Sequence, residues 1–288
     1  MQQESANFSE AFGVDTLPEW LCPSCHRGRL VMDPTSLNKR PTAKSLQNGP
    51  ENYDPEDDTY HFSALLKCNL NSCRESAFVV GETVGAVEWD DQNGYHEYFQ
   101  ILRPTFIQPA PLVFLPPKKT PAEVVSAIST ASSLIWTSTG AACNALRTAL
   151  ERIMDDVGIA RQGVSGAGKA YELKLHQRIQ ALGAKHTQIS ALLMAAKLVG
   201  NEGSHEGDVS RADALDAFGF VEGVVTYLYD DSMQTIRAQA KQVVQARQTA
   251  KKAAKKAVKK AVKKAAPKAD KKAAPKAPRK AAPPGESA

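Results

Sequence analysis

The chain has 288 residues, 42% of them apolar, and a formal net charge of +5. No run of about 18 apolar residues occurs, so the composition argues against a transmembrane helix. The N-terminal residues contain neither a basic stretch nor an apolar run, so we expect no signal peptide and a cytoplasmic location.

The charge is distributed unevenly along the chain. Residues 241–288 contain 16 of the 36 lysines and arginines and only two of the 31 acidic residues. This segment therefore carries a net charge of +14, and residues 1–240 carry −9. Such an asymmetry indicates a polyanionic partner for the basic segment.

After an N-terminal segment, residues 1–19, the sequence predicts a small β-rich module at residues 20–103. Its predicted strands are rich in Val, Phe, Tyr and Leu, and they cover residues 29–32, 60–67, 77–84 and 98–102. Residues 33–58 are polar and contain four prolines, which predicts a mobile loop between the first two strands.

Two pairs of cysteines accompany these strands. Cys22 and Cys25 have two residues between them, and Cys68 and Cys73 have four. In a cytosolic chain, paired cysteines indicate a metal before a disulfide. Four thiolates leave no free coordination position, so we predict one structural zinc ion in a zinc ribbon, with four unrelated thiols as the alternative.

Six prolines lie in residues 103–121, and this density predicts an extended connector at residues 104–120. Beyond it, five segments with apolar residues at helical spacing predict a helical bundle at residues 121–233.

The cap signals predict where some of these helices begin and end. The first helix should begin at Pro121, with Thr120 as its N-cap. The third helix should run from about residue 171 to 182, and the fourth from about 187 to 199.

A string similar to a phosphate-binding loop lies between the second and third predicted helices. Gly163 to Lys169 fit its pattern, but Ala170 stands where a serine or threonine would bind magnesium. The preceding residues predict a helix end, whereas a phosphate-binding loop follows an apolar strand. We interpret the segment as a glycine-rich loop between helices, with nucleotide binding as the alternative.

Lys197, Asn201 and His205 are spaced four residues apart at the end of the fourth predicted helix. A continuing helix would place an amine, an amide and an imidazole on one side, where they could bind a phosphate and move a proton. This is the chemistry of an RNA-cleaving site. In the alternative interpretation, Asn201 and His205 only hydrogen-bond the helix end and a neighbouring helix.

The order of these parts resembles a known family. A zinc ribbon and a proline-rich connector are followed by Ala141-Ala-Cys-Asn-Ala-Leu-Arg147-x3-Glu151 and then by Lys197-x2-Gly-Asn201-x3-His205. This arrangement, over about residues 20–231, resembles the DUF4145 family (domain of unknown function 4145). That family is similar to the HEPN helical superfamily, whose active members cleave RNA with an arginine and a histidine.

The sequence patterns and the resemblance together imply an α+β protein with a β-rich zinc ribbon, an all-α HEPN-like bundle and a disordered basic tail. It makes His205, Asn201 and Lys197 the candidate catalytic residues. Gly200 stands where the superfamily motif has arginine, and lysine lacks the bidentate fork of arginine. We therefore favour a non-catalytic or weakly catalytic protein over a metal-independent ribonuclease that uses His205.

The basic tail, residues 234–288, contains pairs of lysines that recur every four residues. In a helix they would form one basic stripe, which phosphates could neutralise. Since no aromatic residue lies among them, we expect binding to DNA or RNA without sequence preference. A merely solubilising tail is the alternative. The candidate nucleic-acid-binding residues are Lys251, Lys252, Lys255, Lys256, Lys259, Lys260, Lys263 and Lys264.

The sequence thus predicts a nucleic-acid-associated protein, and the resemblance implies a place in bacterial defence or a toxin system. Besides the ribonuclease, the alternative is a protein-interaction adaptor that the basic tail localises. Further expectations are a homodimer through the helical domain, an association with the nucleoid, and no membrane partner.

Overall fold

The computed structural model describes residues 8, 11–13, 17–47, 57–90, 94–166, 168–205, 209–232, 235 and 239–249. For residues 88, 90 and 200–205 it describes the backbone. Residues 1–230 form one compact unit and residues 231–288 a second. Within the described part, no helix is long and apolar enough to cross a membrane.

The N-terminal part forms a six-stranded sheet in which every paired neighbour is antiparallel. The strand order is β1-β2-β4-β5-β6, and β3 pairs with the same edge of β4 as β2 does. The strands are β1 (Trp20–Leu21), β2 (Arg29–Met32), β3 (Asn38–Pro41), β4 (Tyr60–Cys68), β5 (Ser76–Asp90) and β6 (Tyr95–Gln108).

Buried and exposed side chains alternate along the strands, and this pattern decides which face of the sheet is buried. In β4, Phe62, Ala64 and Leu66 are at most 4% exposed, while their neighbours His61 and Ser63 are exposed. Successive side chains of a strand point to opposite faces, so one face packs into the core and the other faces outward.

The strands β5 and β6 are longer than the sequence predicted, because they pair with each other from Phe78 to Asp90 on β5 and from Tyr95 to Gln108 on β6. The strand β6 also continues through Pro104, although prolines are rare in strands. Pro104 lies opposite Gly81 at a β-bulge, where the pairing register shifts. A Cβ atom at Gly81 would lie 2.1 Å from the Arg103 carbonyl oxygen, so the close approach of the two strands requires glycine.

The prediction of a mobile loop at residues 33–58 is wrong for its first part. A 3-10 turn at Pro34–Ser36, the strand β3 and a short helix α1 (Ala43–Gln47) occupy it. Polar side chains hold this segment, since Asp33 accepts a hydrogen bond from the Thr35 N–H and Ser36 Oγ accepts one from the Leu65 N–H. Residues 48–56 lie outside the described residues.

The C-terminal part of the first unit is helical, which confirms the predicted α+β class. Its helices bury an apolar core that includes Ile128, Leu146, Ile153, Leu193 and Phe218. They are α2 (Ala122–Leu134), α3 (Thr139–Asp156), α4 (Leu175–Lys185), α5 (Ser190–His205) and α6 (Arg211–Tyr229).

Two predicted helix starts are wrong. Pro121, not Thr120, is the N-cap of α2, and the Thr120 Oγ1 atom is buried without a hydrogen-bond partner among the described residues. The third helix begins at Leu175 because the residues before it form a strand.

A β-hairpin replaces the glycine-rich interhelical loop that the sequence predicted. It consists of β7 (Gln162–Val164) and β8 (Ala170–Glu172). A phosphate-binding loop needs a strand followed by a helix, and here a strand follows instead. The hairpin therefore gives no support to the alternative of nucleotide binding.

A 3-10 turn precedes α5, at Thr187–Ile189. The helix α5 then continues to His205, beyond the predicted end near Val199. All of the Lys197-to-His205 motif is therefore helical.

The sheet and the helices share one core. The ring centroids of Trp20, next to the cysteines, and Trp136, after α2, lie 5.4 Å apart in an edge-on contact. The Thr137 hydroxyl donates to the Thr105 carbonyl at 3.2 Å, which links the end of α2 to β6. The sheet and the bundle are thus packed against each other.

An ion-pair cluster lies at the C-terminal end of α3. The Asp155 carboxylate accepts hydrogen bonds from Arg161 Nε at 2.8 Å and from Arg178 Nη2 at 2.6 Å. The Arg178 side chain is buried, and its Nη2 also donates to the Ile159 carbonyl at 3.1 Å. The cluster connects α3, the segment before the hairpin, and α4.

Candidate metal centre

Two tight turns position the four paired cysteines. In the first, the Cys22 N–H donates to the Gly28 carbonyl at 2.9 Å and the His26 N–H donates to the Cys22 carbonyl at 3.0 Å. In the second, which follows β4, the Cys73 N–H donates to the Leu70 carbonyl at 2.9 Å.

The two turns resemble each other in backbone conformation. His26 directly follows Cys25 and has φ of 51°, and Arg74 directly follows Cys73 and has φ of 54°. Few residues other than glycine adopt this left-handed conformation. Each pair of cysteines thus ends in the same unusual bend, which turns the chain back and aims both thiols of the pair to one side.

The four sulfur atoms form a cluster in which all lie within 4.8 Å of one another. The distance from Cys22 Sγ to Cys73 Sγ is 3.8 Å, and that from Cys25 Sγ to Cys68 Sγ is also 3.8 Å. A disulfide would need about 2.05 Å. A tetrahedral ion with metal–sulfur bonds of about 2.3 Å sets its sulfur atoms about 3.8 Å apart. The cluster therefore has the geometry of a four-thiolate metal site.

The electrostatics of the cluster also favour a bound cation. Hydrogen bonds from the backbone N–H groups of Gly28 and Arg27 lower the pKa of the Cys25 thiol to about 6. Burial raises the pKa of the Cys68 thiol to about 12. A buried thiol of this kind becomes a thiolate at neutral pH when a metal ion compensates the charge.

Gly28 is part of the site, and the sequence analysis missed it. A Cβ atom at this position would lie 2.5 Å from Cys68 Sγ and 2.9 Å from Leu70 Cβ. The backbone of the first turn therefore lies directly against a sulfur atom of the second. The available signal was a glycine three residues after Cys25, in the turn that the cysteine pair predicts.

Backbone hydrogen bonds join the two turns independently of any metal. The Asn69 N–H donates to the Arg29 carbonyl at 2.9 Å, and the Arg29 N–H donates to the Asn69 Oδ1 at 2.9 Å. The fifth cysteine, Cys143, lies apart in α3 and is 1% exposed, so it is a core residue. Burial raises the pKa of its thiol to about 11.

The candidate catalytic residues lie on the single helix α5. Their spacing of four places the backbone positions of Lys197, Asn201 and His205 on one side of it. Lys197 is half-buried, and the side chains of Asn201 and His205 lie outside the described residues. Catalysis by this motif stays a prediction.

The eight candidate nucleic-acid-binding lysines, from Lys251 to Lys264, also lie outside the described residues. The preceding residues, 239–249, are helical and exposed. They include Val243 and Val244, each 54% exposed.

Two family models match the chain. Residues 10–107 match the model described as "Domain of unknown function (DUF8608)", and residues 129–264 match that described as "Domain of unknown function (DUF4145)". No curated protein and no solved structure matches it. The second match begins within α2, so the cysteine-containing sheet falls in the first match and not, as the sequence analysis had it, in the resemblance to DUF4145.

Proposed function

Residues 129–264 belong to the DUF4145 family, and from this premise we propose that the protein is a nucleic-acid-associated protein that is non-catalytic or weakly catalytic. The observation that carries the proposal is the charge separation, +14 in residues 241–288 against −9 in the remainder. The acidic part repels phosphates, so the affinity comes from the lysines. The bacterial defence or toxin role that the family resemblance implies is part of the same proposal.

The lysine pairs suit binding to a phosphate backbone. Each ion pair with a phosphate releases condensed counterions, so the affinity depends steeply on salt and little on sequence. Like charges four residues apart oppose a helix in solution, and phosphates remove this repulsion. The lysines from Lys251 to Lys264 therefore suit binding to the phosphates of DNA or RNA, and this binding would associate the protein with the nucleoid.

A structural metal ion completes the folded part, and we propose that it is zinc. Four thiolates at tetrahedral distances are a preferred zinc ligand set, and they leave no position for a substrate. When bound, the ion joins the turn after β1 to the turn after β4, and it contributes folding free energy rather than catalysis.

The experiment that tests the nucleic-acid proposal replaces the eight lysines from Lys251 to Lys264 in the full chain. With glutamine at all eight positions, DNA affinity should fall sharply, and the slope of log K against log salt should decrease by about 0.9 for each phosphate that the variant no longer neutralises. With arginine at the same positions the charge remains, so affinity should persist. If the glutamine variant binds as tightly as the wild type, the lysines are not the binding segment.

A metal-independent, HEPN-like ribonuclease is the second candidate function. The continuity of α5 supports it, because one uninterrupted helix carries Lys197, Asn201 and His205. His205 would move the proton, and the Lys197 ammonium would hold the phosphate. Single-turnover RNA cleavage in EDTA by the wild type, abolished by His205→Ala with the melting temperature unchanged, would favour this candidate.

Gly200→Arg is the matched test of the same site, since it restores the cation at the position where the superfamily motif has arginine. Cleavage that this variant gains over the wild type would identify a degraded active site. If neither protein cleaves RNA and His205→Ala only lowers the melting temperature, the motif is structural.

A further inference from the structure

The outward face of the sheet carries a regular array of side chains. Two rows run across the four strands β3, β4, β5 and β6, in positions that the strand register places directly opposite one another. The rows are Asn38–Ser63–Val80–Phe106 and Arg40–His61–Glu82–Arg103.

Large apolar side chains are exposed on this face. Phe78 is 62% exposed, Phe106 47% and Val80 40%. On the other face of the same strands, Val79 and Ile107 are at most 1% exposed. Exposed apolar side chains that adjoin one another mark an interaction surface more often than single ones do.

Two cations lie at the ends of the second row. The guanidinium groups of Arg40 on β3 and Arg103 on β6 make neither an ion pair nor a hydrogen bond with any residue that the structure describes. The acid of the same row, Glu82, lies 3.7 Å from the Nδ1 atom of His61. Glu82 offsets one of the two guanidinium charges, so this row keeps a net charge of +1, although residues 1–240 carry a net charge of −9.

A shallow hollow of about 380 Å³ opens between the two rows. The polar residues Asn38, Arg40, Ser63 and Glu82 line it, and Val80 lies beside them. Hydrogen-bonding groups next to apolar surface suit a planar, polar ring such as a nucleobase.

We propose that this outward face binds single-stranded nucleic acid, with bases stacked on Phe78 and Phe106 and phosphates held by Arg40 and Arg103. The proposal rests on the proposed function, that the protein acts on nucleic acid, and it names the part that recognises bases. Rings on a sheet can stack with bases only where the bases are unpaired, which selects single strands over duplex. Arginine provides the planar, bidentate contact to phosphate.

The charge pattern favours a polyanion over a protein partner. A row with a net positive charge, next to exposed rings on an otherwise acidic part of the chain, suits a polyanion. The face and the tail then act differently: the lysines bind phosphates of any nucleic acid, and the sheet adds a preference for unpaired bases.

The test compares the full-length wild type with a Phe78→Ala/Phe106→Ala variant at one ionic strength. The probes are an oligothymidine of about 20 nucleotides, longer than a typical single-strand site, and a duplex of equal phosphate number. Loss of the stacking rings should lower affinity for oligothymidine about tenfold or more and leave duplex affinity unchanged. Tyr171→Ala removes a comparably exposed ring from β8 and should change neither affinity.

Ultraviolet crosslinking of oligothymidine to the wild type gives a readout that needs no variant. Crosslinked peptides should contain Phe78 or Phe106. Crosslinks confined to the tail, or an unchanged affinity of the alanine variant for oligothymidine, would overturn the inference and leave the proposed function intact. An altered oligomeric state of that variant with unchanged affinity would identify a protein interface instead.

Failure of the proposed function can be distinguished from failure of the inference about the sheet. If wild type binds neither probe, both proposals fall. If the variant with glutamine at the eight lysines binds both probes more weakly but still prefers oligothymidine, and the alanine variant loses that preference, both stand.

Discussion

Two polar clusters connect distant parts of the chain, one in the sheet and one in the helical part. In the sheet, Cys22 and Cys25 meet Cys68 and Cys73 through thiols arranged for a single ion. In the helical part, Asp155 meets Arg161 and Arg178 through direct ion pairs. With the proposed metal ion, the first would depend on a ligand from outside the chain, whereas the second is complete within it.

The two clusters differ in how much folding free energy is lost when one member is removed. A metal site loses its ion and the folding free energy that the ion supplies, so the effect is close to all-or-none. An ion-pair cluster loses one interaction, and the cost is set by the charge that stays buried.

Removal of the metal should reduce the stability of the fold most. Metal analysis should return about one zinc per chain, and Cys68→Ser should abolish this and unfold the sheet, because structural zinc contributes on the order of 10 kcal/mol to such sites. The contact between Trp20 and Trp136 should report the unfolding in the near-ultraviolet circular dichroism. Cys143→Ala is the control, and it should keep the metal. Protein purified without chelator that contains no metal would refute the metal site.

Asp155→Asn should cause the next largest loss of stability. It leaves the buried Arg178 guanidinium without its carboxylate, and breaking a buried pair in this way costs about 3–5 kcal/mol. Urea unfolding measures it. Asp156→Asn, one residue on, keeps an oxygen that accepts from the Tyr229 hydroxyl and removes only the charge, so it should cost at most about 1 kcal/mol. Equal effects of the two variants would contradict the role given to Arg178.

Gly28→Ala tests whether the metal centre needs the close contact between its two turns. The added Cβ would lie 2.5 Å from Cys68 Sγ, so the two turns must separate. Overpacking of this kind costs about 1–3 kcal/mol and should weaken metal binding at least tenfold in a chelator competition. Gly219→Ala is the control, because a Cβ there meets nothing within 4 Å. Unchanged metal affinity in Gly28→Ala would show that the turns tolerate separation.

Acid should weaken the ion-pair cluster by a smaller amount. Arg161 and Arg178 hold the pKa of the Asp155 carboxyl at about 2, with the hydrogen bond to Arg161 as the main cause. Its unfolded pKa is about 3.9, so the stabilisation is fully present above about pH 5 and disappears as the pH falls to 2. The loss should be about 2 kcal/mol. Unfolding free energies measured from pH 6 to pH 3 should fall less in Asp155→Asn than in the wild type.

Local patterns in the sequence predicted a substantial part of the fold. The strand at Arg29–Met32 and the helical periodicity from Ala142 to Val157 reflect neighbours along the chain, and both elements are present. The predictions failed where a distant partner decides the structure. Tyr171 is in a strand because residues 170–172 pair with residues 162–164.

By itself, the sequence determined the cysteine set and the charge of the tail, because spacing and composition are properties of adjacent residues. Only the tertiary structure decided which charges and rings are exposed or buried. It buried Arg178 against Asp155, brought Gly28 against Cys68, and left Phe78 and Phe106 on the outward face. Each of these depends on contacts between residues far apart in the chain, and no local pattern encodes such contacts.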